Sequence, residues 1–356
     1  MRSDPGSGQR TIGTGPVEGG GDVQRDGGVP ARAGGGARVR RFGVRFLTEH
    51  LIWLVLLIVI LYGLTVPGFA SSTNLLNVLW ASAPLALTAL GLFFVLISGN
   101  LDLSLESTYG FAPAIGILFM VQWLPAVTSP LVAIVITVLV GAAVGLFNGV
   151  ASVLMRVNAF LITLATLLIL RGLSIYLVPE GIYNLPDGYT YLGGAQVAGV
   201  PVAIFVAAAA FVLAYMVMNR HSFGKALQAV GSNRRAAHIA GIHVNRTLMY
   251  AFVLAGTCAA IGGLLEVGRT QSVSANTGTG SILLVFAAVI LGGTTLTGGY
   301  GRVTSVAGAV IVLGAINNLL NLSGIDPSIR QVVYGVILLA GIYVASFQDR
   351  LRERVT

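Results

Sequence analysis

Residues 131–151 read LVAIVITVLVGAAVGLFNGVA, an apolar run without a charged side chain. A helix needs roughly 20 such residues to cross the hydrocarbon core of a bilayer, so this run predicts a transmembrane helix. Within it, Gly141, Gly145 and Gly149 recur at every fourth position. This spacing places the three glycines on one helix face, where a second helix can approach closely. The run therefore indicates a membrane protein built from packed helices.

The composition extends this prediction to most of the chain. Of 356 residues, 55% are hydrophobic and 10% are charged, and the mean hydropathy is +0.85. A soluble domain carries roughly 25% charged residues, so this chain could not cover a surface exposed to water. We predict an all-α polytopic membrane protein with about ten transmembrane helices, and eight or nine would also fit. The predicted spans are Leu51–Phe69, Leu75–Ser98, Ser107–Leu124, Leu131–Ala151, Ala159–Val178, Val200–Met218, Thr247–Val267, Ser281–Leu296, Val303–Leu322 and Ile329–Ala345.

The net charge of +8 is concentrated in three segments: the first 50 residues, the loop of residues 219–246 and the last seven residues. Cytoplasmic loops of membrane proteins collect Lys and Arg. With ten spans, all three segments lie on one side, so we predict that both termini and the 219–246 loop are cytoplasmic. Arg269 and Arg330 would then lie at the external face, against this trend. Because the charge follows the loops, we do not expect nucleic-acid binding.

The compositional boundaries divide the chain into three parts. Residues 1–45 are rich in Gly and Arg, cannot bury enough apolar surface to fold, and are predicted to form a disordered cytoplasmic tail. Its arginines nearest the first span would favour anionic lipid headgroups. A cleaved signal peptide ending near Phe69–Ser72 is the alternative. Residues 46–348 form the predicted transmembrane domain, and residues 349–356 form a short basic cytoplasmic tail.

Two junctions between spans combine polar residues with helix-breaking glycines: SGNLDLS at residues 98–104 and GGTTLTGGYG at residues 292–301. Irregular backbone is tolerated in a membrane only where protein packs it or it lines a cavity. Both junctions are therefore candidates for a substrate path or gate, and ordinary short cytoplasmic loops are the alternative. Their similarity also raises the hypothesis of a pseudo-symmetric core of two halves. The candidate residues here are Asn100, Asp102, Ser104, Thr294 and Thr295.

Further polar residues fall within or beside the apolar runs. Arg171 could face a water-filled cavity and contact a polar substrate, or it could snorkel or pack at the outer interface. The amides of Asn148, Asn317 and Asn318 could bind sugar hydroxyls, or they could form hydrogen bonds between helices. Both interpretations remain open for each of these residues.

The basic loop contains HSFGKALQAVGSNRRAAHIAGI at residues 221–242. Ser232 is predicted to cap a short helix through Ala236 and His238, and Gly241 is predicted to end that helix. A short amphipathic helix between two spans suits docking into a groove on a soluble partner. A solvated basic loop that only fixes the topology is the alternative.

Several chemical functions have no counterpart in the sequence. It contains no GxxxxGK[ST] phosphate loop, since its Gly224-Lys225 pair is followed by Ala226. The four histidines do not have metal-ligand spacing with Cys or carboxylates. We therefore predict no catalytic residues, no metal, no cofactor and no nucleotide site in this chain.

From about Ala81 to Ala345 the chain resembles the permease subunits of bacterial ABC importers for simple sugars of the ribose, xylose, arabinose and galactose type. The resemblance rests on five motifs. They are SGNLDLS at 98–104, FNG at 147–149, NAFLITLAT at 158–166 followed by Arg171-Gly172, the basic loop, and AVILGGTTLTGGYG at 288–301. Ser281 departs from the family pattern, which usually has an acidic residue at this position.

The resemblance implies the partners and further site residues. Two permease subunits, identical or paralogous, would pair in the inner membrane. Two ATPase subunits would dock on the cytoplasmic loops, and a periplasmic or lipid-anchored binding protein would deliver a monosaccharide. Thr163 joins the path residues. The ATPase-coupling residues would be Phe223, Gly224, Gly231, Asn233, Ala236, Ala237 and Gly241. The alternatives are an ABC permease for another small polar solute, such as an autoinducer or polyol, and a stand-alone secondary transporter.

Overall fold

The computed structural model describes residues 52–353, so the predicted tail of residues 1–45 and the last three residues lie outside the described range. In this range most of the chain is helical, and the strands have only two residues each. The helices are α1 (Ile52–Gly63), α2 (Ser72–Ile97), α3 (Leu105–Leu118), α4 (Pro130–Leu154), α5 (Ala159–Leu177), α6 (Asp187–Gly194), α7 (Val202–Arg220), α8 (Ser222–Ser232), α9 (Arg234–Ile239), α10 (Val244–Thr270), α11 (Ser281–Leu291), α12 (Val303–Leu322) and α13 (Pro327–Glu353). Strands β1 (Ile182–Tyr183) and β4 (Ser272–Val273) pair antiparallel, as do β2 (Gln196–Val197) and β3 (Val200–Pro201).

A helix lies in each of the ten predicted spans, and the all-α prediction is confirmed. Six of these helices are long and apolar enough to cross a membrane: α2, α4, α5, α7, α10 and α12. Apolar segments of α1, α11 and α13 are shorter, and α3 continues into a π-helical turn at Phe119–Trp123. The total of ten membrane crossings stays a prediction.

The predicted end of the eighth span was wrong. The sequence placed it near Leu296, whereas α11 ends at Leu291. The cause is local, because Gly293 adopts a positive φ of 76° and Thr294 N donates to Val289 O at 3.3 Å. This is a Schellman cap, which turns the chain out of the helix.

α10 lies at the centre of the bundle, against α2, α3 and α4. The glycine ridge of α4 faces it, as the sequence predicted. A Cβ atom at Gly149 would lie 3.2 Å from Met249 Cα, and one at Gly256 would lie 2.9 Å from Gly145 N. Backbones this close gain dispersion contacts along the two helices. Such packing drives association in a membrane, because lipid is as apolar as the helix surface and leaves no hydrophobic driving force between helices.

The basic loop forms two helices, α8 and α9. Ser232 was predicted to cap the second helix, and this prediction was wrong. Ser232 is the last residue of α8, and Asn233 caps α9 by accepting from Ala236 N at 2.9 Å. The extended backbone of Asn233 (φ −160°, ψ 102°) separates the helices and frees its amide for the cap. The predicted stop at Gly241 is confirmed, because its φ is +81° and Ile242 N donates to Ala237 O at 3.0 Å.

Candidate functional site

The first junction is an irregular segment that is exposed at Gly99 and buried at its side chains Asp102 and Ser104. Asp102 and Ser104 are fully buried. Oδ1 of Asp102 accepts from Ser104 N at 2.9 Å and from Ser104 Oγ at 2.6 Å, so the carboxylate fixes the turn that starts α3. Asp102 Oδ2 is buried and has no hydrogen-bond partner among residues 52–353. The junction is therefore packed by protein at these side chains. Both interpretations given for it, a substrate path or gate and an ordinary short cytoplasmic loop, stay predictions.

Asn148 connects this junction to two membrane helices. Its Nδ2 donates to Ser104 Oγ at 2.7 Å, and its Oδ1 accepts from Thr166 Oγ1 at 2.7 Å. The side chain of Asn148 is fully buried. The structural interpretation of this amide, a hydrogen bond between helices, therefore fits its surroundings. Thr163 is also fully buried, one turn before Thr166, and its hydroxyl lies 3.5 Å from Leu101 O.

The second junction is tied mainly to itself. Thr295 N donates to Tyr300 O at 3.1 Å, and Thr295 Oγ1 donates to Gly298 O at 2.8 Å. Thr294 is buried, and its Oγ1 has no hydrogen-bond partner within the described part of the chain. Both junctions leave their helices through the same cap, since Asn100 N donates to Val95 O at 3.2 Å as Thr294 N does to Val289 O. The pseudo-symmetric core predicted from this similarity stays a prediction.

The two junctions meet the end of α8 in a set of close backbone approaches that we name the glycine contact: Gly99, Gly231, Gly298 and Gly299. Gly299 N donates to Ile97 O at 2.7 Å. A Cβ at Gly298 would lie 2.6 Å from Gly99 N, and one at Gly231 would lie 2.5 Å from Gly299 N and overlap Ile97 O. Gly231, Gly298 and Gly299 therefore have no room for a side chain.

Arg234, the first residue of α9, strengthens this connection. Its Nη2 donates to Asn100 Oδ1 at 2.9 Å, while Asn100 Nδ2 donates to Ser98 Oγ at 2.9 Å. Next to this bond lies a cavity of about 790 Å³, bounded by the first junction, the link between α4 and α5, and the start of α10. Its polar lining includes Asn100, Ser152, Arg156, Asn158, Arg234 and Asn245. The sequence patterns did not identify Arg234, because a basic side chain in a basic loop carries no signal of a specific partner.

Arg171 packs inside the protein. Its guanidinium donates to Glu106 Oε1 at 3.1 Å and to Ala275 O at 2.8 Å, and the exposed fraction of its side chain is 17%. Packing fits this geometry, and snorkelling away from the protein does not. The other interpretation of Arg171, a place on the substrate path, stays a prediction. Glu106 Oε2 also accepts from Ile282 N at 3.3 Å, so this ion pair joins α3, α5 and α11.

Asn317 and Asn318 do not lie at either junction. Asn318 and Asn74 exchange two amide hydrogen bonds of 2.8 and 2.9 Å between α12 and α2. Asn317 accepts from Tyr334 Oη on α13 at 2.7 Å. Both amides connect helices, which is the structural alternative given for them, and their place on a substrate path stays a prediction.

The predicted coupling residues fall on two sides of the α8–α9 pair. Gly224 is buried against the end of α7, where a Cβ would lie 2.5 Å from Met218 Cα, and Phe223 packs edge-to-face with Tyr250. Gly231 belongs to the glycine contact. Ala237 is buried against Val230 and Leu248. The outward surface is formed by Arg235, Ala236, His238, Ile239, Ala240 and Gly241.

Ile239 is the large apolar residue of this surface, and the sequence patterns missed it. It is 79% exposed, although it is a large apolar side chain next to a membrane domain. Its exposure follows from the helical spacing, because Ala237 faces inward and Ile239 lies two positions away, toward the opposite side. No group of three or more His, Cys, Asp or Glu within residues 52–353 could hold a metal ion.

A bundle of apolar helices that encloses irregular polar segments is the architecture of a multi-pass membrane transport protein. The chain belongs to the family described as branched-chain amino acid transport system / permease component, whose sequence model matches residues 74–342. This membership confirms that the motifs mark a transport permease.

Individual relatives carry more specific names. The chain is 32% identical over 312 residues to the ribose import permease protein RbsC of Escherichia coli strain K12, covering 86% of this chain and 96% of that protein. It is 31% identical over 300 residues to the L-arabinose transport system permease protein AraH of the same strain, covering 82% and 88%. It is 32% identical over 289 residues to RbsC of Bacillus subtilis strain 168, covering 80% and 88%. No solved structure matches the chain.

Proposed function

We propose that this chain is the permease subunit of an ATP-binding-cassette importer that translocates a monosaccharide. The observation that carries the proposal is the similarity over most of the chain to ribose and arabinose permeases. The family description names branched-chain amino acids, so membership alone does not select the substrate. Enclosed polar segments beside a membrane-end cavity of about 790 Å³ are compatible with a path for a small polar solute.

The proposal assigns the energy source to a partner. A separate ATPase subunit would bind ATP, an extracytoplasmic binding protein would deliver the sugar, and a second permease copy or paralogue would complete the path. Both termini and the α8–α9 pair would face the cytoplasm. The exposed apolar faces of α5 and α7 provide surface for lipid and for a second permease subunit.

The deciding experiment reconstitutes the chain with its ATPase and binding protein in proteoliposomes and measures uptake of radiolabelled D-ribose and L-arabinose. We expect uptake that requires ATP and the binding protein and that survives collapse of the proton gradient. Uptake that continues without ATP and stops when the gradient collapses would instead establish a secondary transporter. Uptake of a branched-chain amino acid in place of both sugars would refute the substrate class.

We further propose that the ATPase docks on the outward face of α9, with Ile239 as its apolar anchor. The support is the exposure of Ile239 and its position on a short helix between two spans, a form suited to insertion into a groove. The buried side chain of Ala237 does not lie on this face, so a substitution of Ala237 would test the packing of α9 rather than docking.

Co-purification of the ATPase with the permease tests the docking role of Ile239. The substitution Ile239→Asp should abolish capture of the ATPase by the tagged permease while the permease still inserts and keeps its thermal stability. The substitution Tyr343→Ala, at a side chain of similar exposure on α13, is the matched control and should retain the ATPase. Normal ATPase capture by the Ile239 variant would contradict this docking surface.

A further inference from the structure

A second cavity lies at the opposite end of α10 from the α8–α9 pair. It encloses about 570 Å³ between the last turns of α10, the start of α3, the loop joining β4 to α11, and α13. We name it the β4–α11 cavity. The 27 residues of α10 extend about 40 Å, so this cavity and the α8–α9 pair are separated by the thickness of a bilayer. Its volume lies in the range of small-molecule sites, about 300–1,000 Å³.

The loop that forms the wall of the β4–α11 cavity is held at several points. Arg171 donates to Ala275 O at 2.8 Å, and Glu106 accepts from Ile282 N at 3.3 Å. Within the loop, Ser274 N donates to Thr277 Oγ1 at 3.0 Å, and β4 pairs with β1. Because the backbone is fixed from three directions, the cavity is formed before any ligand binds. Arg171 and Glu106 are therefore positioning residues for its wall.

The lining is rich in hydroxyl, amide and carboxylate groups. The polar side chains include Glu266, Asn276, Thr279, Ser281, Gln331 and Tyr334. Ser281 Oγ is buried and has no hydrogen-bond partner among the described residues. Buried hydroxyls are nearly always hydrogen-bonded, so a ligand hydroxyl would supply the partner that Ser281 lacks. Tyr109 adds an aromatic ring beside these groups, and its side chain is 7% exposed.

The charges of the lining select among ligand classes. Both carboxylate oxygens of Glu266 accept from the guanidinium of Arg269, at 2.7 and 3.1 Å, so the one charged lining group is already neutralised. No Lys or Arg is among the described residues that line the cavity. An amino-acid zwitterion would need a cation for its carboxylate, and a phosphate would need several. A neutral polyhydroxylated ligand needs neither.

We propose that the β4–α11 cavity is a monosaccharide-binding subsite on the face where the sugar enters the permease. This assignment rests on the proposed import of monosaccharides and adds a location to it. The ligand would exchange hydrogen bonds with Ser281 and Asn276 and would place its ring against Tyr109. Its selectivity would favour neutral sugars over amino acids of similar size.

Thiol protection in the complete reconstituted importer tests the subsite directly. Cys258 is the single native cysteine, so the unsubstituted chain gives the background labelling. Thr279→Cys places a thiol at the exposed wall of the cavity, and Tyr183→Cys places one on β1, outside the lining. The probes are D-ribose and L-arabinose, with L-valine as the amino-acid comparison and a membrane-impermeant thiol reagent.

At a sugar concentration twice the dissociation constant, occupancy should slow labelling of the Thr279→Cys protein about threefold. Labelling of the Tyr183→Cys protein should not change, and L-valine should protect neither. In parallel, Ser281→Ala should lower sugar uptake at saturating binding protein, and Ser281→Thr should restore it because the hydroxyl returns.

The outcomes separate the two proposals. Sugar import by the unsubstituted importer, with no protection at Thr279→Cys and normal uptake by Ser281→Ala, would overturn the subsite and leave the proposed function standing. Protection by L-valine alone would also overturn the subsite. Failure of the unsubstituted importer to take up either sugar would refute the proposed function itself, independently of the labelling result.

Discussion

The substitution Gly231→Ala tests whether the glycine contact transmits motion from the α8–α9 pair to the junctions. The added methyl group would lie 2.5 Å from Gly299 N and would overlap Ile97 O. An ordinary carbon contact needs about 3.5 Å, so the backbone at Gly299 must move away by about 1 Å and the backbone at Ile97 by more. The hydrogen bond from Gly299 N to Ile97 O, now 2.7 Å, occupies the same space and would be lost.

The size of the effect follows from these two changes. Overpacking costs about 1–3 kcal/mol, and a lost backbone hydrogen bond costs about 0.5–1.5 kcal/mol. If only one conformation of the transport cycle contains this contact, its population relative to the others falls by about one to three orders of magnitude. We therefore expect uptake to fall at least about tenfold. Gly231 does not lie on the proposed docking face, so ATPase capture should continue.

The assay compares sugar uptake per ATP hydrolysed in proteoliposomes, together with thermal unfolding in detergent. Gly335→Ala is the matched control, because no atom lies within 4 Å of a Cβ at Gly335. The expected cost of the substitution exceeds about 1.4 kcal/mol, which corresponds to a tenfold change in population. If uptake by the Gly231→Ala importer stays within a factor of about two of the unsubstituted value, the reasoning is refuted. If uptake and ATPase capture fall together, the variant has unfolded. This result would also contradict the expectation that capture continues while uptake is lost.

Three further substitutions test the packing of the domain. Asn148→Ala leaves Ser104 with a missing partner in a buried site, and it should destabilise the protein by about 1–3 kcal/mol, measured by thermal unfolding in detergent. Arg171→Ala should lower the thermal stability more than the double variant Arg171→Ala/Glu106→Gln, because the single change leaves the Glu106 carboxylate buried without its cation. Equal losses of stability in the two variants would argue against this pairing. Gly145→Leu should prevent α4 from packing on α10 and abolish the folded, detergent-soluble form, which size-exclusion chromatography detects.

Lipid makes most of this fold predictable from the sequence. Each backbone polar group in the hydrocarbon must be satisfied within its own helix, so a long apolar run has one available structure. A close helix contact could be predicted from α4 alone, without knowing which helix packs against it. The evidence was the apolar run at residues 131–151 and the spacing of Gly141, Gly145 and Gly149. The family also followed from short motifs, because those motifs hold the junctions between the runs.

The remaining features depend on contacts between distant residues. Arg171 and Glu106 are 65 positions apart, and nothing in the run around either residue identifies the other. The cap of α9 was misplaced by one residue because Ser232 and Asn233 both have suitable side chains. Only the extended backbone at Asn233 decides between them. Similarly, the spacing of small residues predicted a docking face on α9, but it could not show that Ala237 points into the protein.

The glycine contact explains why the two junctions belong to one functional unit despite their separation of almost 200 residues. Each helix, α2 and α11, ends in a Schellman cap, and the glycine of each cap lets the chain turn without a side chain. The second junction then returns to the first at Gly298–Gly299, and Gly231 closes the contact from α8. Arg234 adds a hydrogen bond from α9 to the same junction. Because this contact is close-packed, it cannot deform gradually when one of its segments moves. All of its segments shift together to a new arrangement. We therefore expect a movement of the α8–α9 pair to reach both junctions at the same time, and not to pass from one junction to the other along the chain.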